Sequence, residues 1–90
     1  MITFNNDDNG YLNWIRNNHN GYVINYAHSP LAEILSLHRA GCSTISIKKK
    51  QTTWTANGHI KTCANDREEL VKWTKERFGH GPIPCGICKP

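Results

Sequence analysis

Two short ligand pairs constrain this chain more than anything else in it: His38-Arg-Ala-Gly-Cys42 near the middle and Cys85-Gly-Ile-Cys88 at the end. The spacings are His-x3-Cys and Cys-x2-Cys. Each pair falls on a tight turn, so its two donors converge on one metal at little entropic cost. Four nitrogen and sulfur donors in two close pairs are how chains build a tetrahedral zinc centre. Gly86, between the thiols, frees the backbone so that peptide N–H groups can point at sulfur, the hydrogen bonding that tunes a thiolate site. The segment Ser43 to Pro84 then becomes a loop pinned at both ends, and the clip is expected to secure the whole C-terminal half. Cys63 is the rival for the fourth position, since Cys42, Cys63, Cys85 and Cys88 would also make a legitimate zinc set. It falls on an expected strand without a close partner, where a lone cysteine is more often a small buried hydrophobe. His80 is a second understudy, and His19, His28 and His59 read as surface or loop histidines.

A metal would matter to a chain this small. Ninety residues make one domain, residues 1–90. The hydrophobic fraction is 38% and the mean hydropathy is −0.60, polar for a folded unit with a limited core. Zinc contributes roughly 10–16 kcal/mol of apparent binding free energy in small zinc modules. The first residues, Met1-Ile-Thr-Phe-Asn-Asn-Asp-Asp, have no basic start and no apolar run. No stretch approaches the roughly 18 apolar residues of a membrane span. A cytoplasmic, reducing location is the resulting expectation, and there clustered cysteines favour metal over disulfides.

Along the chain, Asp7 or Asp8 is placed to cap a helix through Tyr11, Leu12, Trp14, Ile15 and Asn18. Gly21 is the expected left-handed residue after it. Tyr22–Tyr26 reads as a strand, and Glu33–His38 as a second, antiparallel to the first and carrying His38 at its end. Ser43–Ile45 fits a short helical turn. Thr52–Thr55 and His59–Cys63 read as a hairpin around Asn57-Gly58. Asp66 caps a second long helix, with Glu69 completing a capping box and Gly79 stopping it. Gly81–Pro84 is a rigid extended run that returns Cys85 and Cys88 to the fold. The fold class is therefore α+β: two helices around a short antiparallel sheet of four strands, closed by a zinc knuckle.

At this point residues 35–90 carry a family resemblance. Leu37-His-Arg-Ala-Gly-Cys42-Ser-Thr-Ile45, the helix from Asp66 to Phe78, and Pro84-Cys-Gly-Ile-Cys-Lys-Pro90 resemble the zinc module of the Ada DNA-alkylation-repair proteins and related nuclease-associated modules. The closing Pro-Cys-x-x-Cys-x-Pro matches at every fixed position. Residues 1–34 lie outside the resemblance. It implies zinc, a small α+β fold and a DNA-processing setting. Two departures stand out. The family's first ligand is a cysteine whose thiolate accepts a methyl group, and here that position is His38. Imidazole on zinc is not that nucleophile, so methyl transfer from this position is not expected. The stretch from Thr52 to Cys63 is an additional insert.

Lys and Arg number 11 against 7 Asp and Glu, a formal net charge of +4, which leans toward an anionic partner. Lys48, Lys49 and Lys50 form a basic run, with Lys61, Lys72, Lys75, Arg77 and Lys89 available nearby to contact phosphates. Trp54, beside the run, can stack on a base. Lys72, Lys75 and Arg77 are expected to share one face of their helix while Leu70, Trp73 and Phe78 turn inward. Binding of nucleic acid, DNA above all, is the first functional expectation. A purely structural or protein-interaction module is the second. An enzyme is not expected: there is no Ser-His-Asp pattern, no phosphate loop and no His-Glu-x-x-His, and four protein ligands would close the zinc to water.

Overall fold

The computed structural model describes residues 1–27, 35–46, 55 and 59–90. The elements run β1 (Ile2–Asn5), α1 (Asp8–Asn17), β2 (Tyr22–Ala27), β3 (Ser36–Arg39), α2 (Ser43–Ser46), β4 (His59–Ala64), α3 (Arg67–Phe78) and β5 (Ile83–Pro84). The α+β class holds, with two long helices and one five-stranded sheet in the order β1-β4-β2-β3-β5.

The sheet is covered on both faces, and strand alternation decides which side chain goes where. On one face Phe4, Val23 and Cys63 pack with Tyr11 and Ile15 of α1 and with Ala40, Cys42 and Ile45. On the other, Ile24, Leu35, Leu37 and Ala64 pack with Leu70 of α3, and Tyr26, Trp73 and Phe78 close the cluster. Those three rings meet edge-on or tilted at centroid distances of 5.6–6.0 Å, the arrangement aromatic quadrupoles favour. β4 lies between the two layers, and Ile60 to Ala64 are all buried.

Local signals explain the helices. The Asp7 carboxylate accepts the Gly10 N–H at 3.0 Å and starts α1. The Asp66 carboxylate accepts the Glu68 N–H at 3.0 Å and starts α3, and Gly79 ends α3 at φ 83°. Glu69 does not close the expected capping box: its carboxylate pairs with the Met1 amino group at 3.3 Å instead. β1 brings the chain terminus alongside the first turn of α3, which a reading of local spacing does not show.

Three further expectations change. Gly21 is not the left-handed residue, since the only positive-φ glycine among the described residues is Gly79. Gly21 is required for close approach instead: a Cβ there would lie 2.6 Å from Trp14 Cη2 and 3.2 Å from the Ala64 carbonyl oxygen. Second, both edges of β4 are taken, by β1 over Ile2–Asn5 and by β2 over Tyr22–Ala27, so β4 is a central strand and not the return arm of a hairpin. The rest of that expected hairpin, residues 52–54 and 56–58, lies outside the described residues. Third, the sheet is not wholly antiparallel: β5 pairs with β3 in parallel, Ser36 opposite Ile83 and Leu37 opposite Pro84.

Candidate metal centre

β3 runs antiparallel to β2 with Val23 opposite His38, so His38 points to the same face as Val23 and the α1 cluster. The chain then turns, the Cys42 N–H donating to the Arg39 carbonyl at 2.9 Å and the Ala40 N–H to the Gly21 carbonyl at 3.0 Å. Cys42 enters α2 with its side chain buried in the α1 cluster. β5 completes the site. The Ile83 N–H donates to Leu35 O at 2.7 Å and the Cys85 N–H to Leu37 O at 2.9 Å, which sets Cys85 beside His38. A turn closed by the Lys89 N–H on the Cys85 carbonyl, 3.0 Å, brings Cys88 back.

The result is one cluster of His38, Cys42, Cys85 and Cys88, whose ligand atoms all lie within 4.8 Å of one another. Cys42 Sγ and Cys85 Sγ are 4.0 Å apart. Zinc–sulfur bonds of about 2.3 Å at tetrahedral angles put two sulfurs about 3.8 Å apart, so the donor set fits the ion with small adjustments. His38 and Cys42 are buried at 7% and 4% exposure, while Cys85 and Cys88 are half-buried at the rim. Burial, helped by the Lys61 ammonium, holds the His38 imidazole below its ordinary pKa; the neutral ring is the form that binds metal. The Cys85 thiol is also lowered, because the backbone N–H groups of Cys88 and Ile87 point at its sulfur. The Ile87 N–H is 3.4 Å away, the role expected of a glycine-containing knuckle. Burial pushes the Cys88 thiol up to about 11 against the pull of the Arg39 N–H. A dication would offset the crowding of three thiolates.

Arg39 is the supporting residue that spacing rules pass over. Its backbone N–H donates to Cys88 Sγ at 3.2 Å, its Nε to the Cys88 carbonyl at 3.0 Å and its Nη2 to the Lys89 carbonyl at 3.1 Å. The only sequence hint was its place directly after a ligand. β4 and α3 are held independently of this cluster's turns by strand pairing on both edges of β4 and by the packing of Leu70.

The rivals for the site fall elsewhere. Cys63 is fully buried on β4, opposite Ile2 and Val23, and burial pushes its thiol up to about 12. His80 is exposed, its Nδ1 3.2 Å from the Gly81 carbonyl oxygen. His19 and His59 are exposed, and His28 lies outside the described residues.

The described basic residues do not all share one exposed face. Lys48, Lys49, Lys50 and Trp54 lie outside the described residues. Lys72, paired with Glu76 at 3.9 Å, and Lys75 are exposed neighbours on α3. Arg77 is two residues past Lys75, about 200° round at 3.6 residues per turn, and its guanidinium lies over the Phe78 ring at 5.5 Å. Lys61 is not available to a phosphate. It is 2% exposed, with Nζ donating to Asn25 Oδ1 at 2.8 Å and standing 5.7 Å from the Tyr11 ring centre. Burial lowers its pKa to about 8, against the pull of Cys63 and Asp8. Asp8 Oδ1 in turn accepts from the Thr55 N–H at 2.7 Å and the Thr55 hydroxyl at 2.6 Å.

Fold and site together describe a small α+β domain in which one histidine and three cysteines form a cluster able to hold a metal ion. No protein-family model, no curated protein and no solved structure matches the chain. Among the described residues no helix is long and apolar enough to cross a membrane.

Proposed function

We propose that this chain is a zinc module whose single ion, held by His38, Cys42, Cys85 and Cys88, has a structural role. The observation that carries this reading is the convergence of the four donors from two segments far apart in sequence, with ligand atoms inside 4.8 Å. Four protein ligands leave no position for a reacting water, so the reading is not that of an enzyme. Native mass spectrometry of the purified protein tests it. One zinc per chain, lost in Cys85→Ser, supports the site; a metal-free protein refutes it.

The proposed partner is nucleic acid, DNA in the setting the Ada-type resemblance suggests. The net charge of +4 supports this, as does the exposure of Lys72, Lys75 and Lys89. Each lysine–phosphate pair removed should lower the salt slope of binding by about one. Replacing Lys48, Lys49 and Lys50 by Ala should therefore weaken DNA binding and flatten its salt dependence, with zinc content unchanged. An absence of binding to DNA or RNA at low salt would leave the protein-interaction module as the better account.

A further inference from the structure

Three of the four donors are thiols, and they differ in access and in what holds them. Cys42 is 4% exposed beneath α2 and the α1 cluster. Cys85 is at the rim, its sulfur accepting the Ile87 N–H and 4.0 Å from the sulfur of Cys42. The sulfur of Cys88 is held toward β3 by the Arg39 N–H at 3.2 Å. Sulfurs 4.0 Å apart must close by about 2 Å to bond, within reach of side-chain rotation.

We propose that Cys85 and Cys42 form a peroxide-sensitive pair, Cys85 the attacking thiolate and Cys42 the resolving one. This rests on the metal reading only for what oxidation releases. The Cys85 thiolate attacks one oxygen of hydrogen peroxide; the O–O bond breaks, hydroxide leaves and a sulfenic acid forms on Cys85. The Cys42 thiolate then attacks that sulfur; the S–S bond forms, the S–O bond breaks and a second hydroxide leaves. Two thiolates have given up two electrons and the peroxide has accepted them. With two ligands consumed, the ion departs from His38 and Cys88. Within this pair access assigns the order, because peroxide meets the half-buried Cys85 sulfur before the buried Cys42 sulfur.

The choice of partner decides the consequence. A Cys42–Cys85 bond ties the chain beyond α3 to the turn between β3 and α2, so that segment stays fastened after the metal has gone. A Cys85–Cys88 bond would lie within one turn and place no constraint on β3.

The test treats the purified, metal-loaded protein with hydrogen peroxide. Released zinc is read with a colorimetric chelator and crosslinks are mapped by non-reducing peptide mass spectrometry. One zinc should be lost per crosslink formed, the crosslink should join Cys42 to Cys85, and thiol reductant plus zinc should restore the starting state. Cys63→Ala should behave as the parent does. Thiols that stay reduced under excess peroxide, or a crosslink joining Cys85 to Cys88, would overturn the proposal. If the protein carries no metal at the outset the zinc reading fails, and the crosslink map still decides this one.

Discussion

Removing the metal should release the last ten or so residues and leave the rest of the domain folded. Ile83 and Ile87 are 62% and 69% exposed, so apolar burial contributes little to holding that segment. Beside the β3–β5 ladder, the bonds that cross from it to the body include five: Ile83 N–H to Leu35, Cys85 N–H to Leu37 and the three from Arg39 to the knuckle. At about 1 kcal/mol net apiece these offset about 5 kcal/mol. Ordering about ten backbone residues costs roughly 10–20 kcal/mol. The deficit, about 10 kcal/mol at the middle of that range, is close to the roughly 10–16 kcal/mol that a zinc site contributes. Without metal the segment cannot stay down, whereas β1, β4 and β2 keep both their apolar layers. Amide hydrogen exchange by NMR, with and without a chelator, reads this directly. The amides of Ile83, Cys85 and Lys89 should exchange as in an unstructured peptide, while those of Ile24, Thr62 and Cys63 keep their protection. Simultaneous loss of protection at both sets would refute the reasoning, because metal binding and global folding would then be one equilibrium.

Cys63→Ala should retain the metal and lose about 1 kcal/mol of packing, read as metal content and denaturant midpoint; loss of zinc would return Cys63 to the ligand set. Gly21→Ala should destabilise by roughly 1–3 kcal/mol, because the added methyl meets Trp14 and backbone that cannot all retreat; an unchanged urea midpoint would contradict the close packing. Lys61→Met should stabilise by up to about 3 kcal/mol at pH 7, the folded protein disfavouring the charged form of Lys61. The sign reverses the usual lysine case. The cost is fully present below pH 8, where both states hold the proton, and fades between about 8 and the unfolded value of 10.5, where only the unfolded chain does. The advantage of the variant over the parent should therefore shrink as pH rises through that window, and a variant less stable at pH 7 would show that the Asn25 and Tyr11 contacts outweigh burial.

What the sequence determined by itself was local. Asp66 and Gly79 bound α3 through groups within a few residues of one another, and Asp7 starts α1 in the same way. The ligand pairs were legible for the same reason: His-x3-Cys and Cys-x2-Cys each fit one turn, and a turn needs no distant partner. The pairing of Tyr22–Tyr26 with the strand bearing His38 was legible from strand chemistry across a short connection. Tertiary structure decided the rest. It seated β1 against β4, so that the strand ending in Cys63 became central and its expected hairpin gave way. It also set β5 in parallel beside β3, which turned an extended proline run into the element that delivers Cys85. Lys61 looked like one more exposed cation. It became a buried one because alternation along a central strand with both faces covered leaves no side open to water. Such placements depend on which strands meet across tens of residues, and no spacing within a single segment encodes that choice.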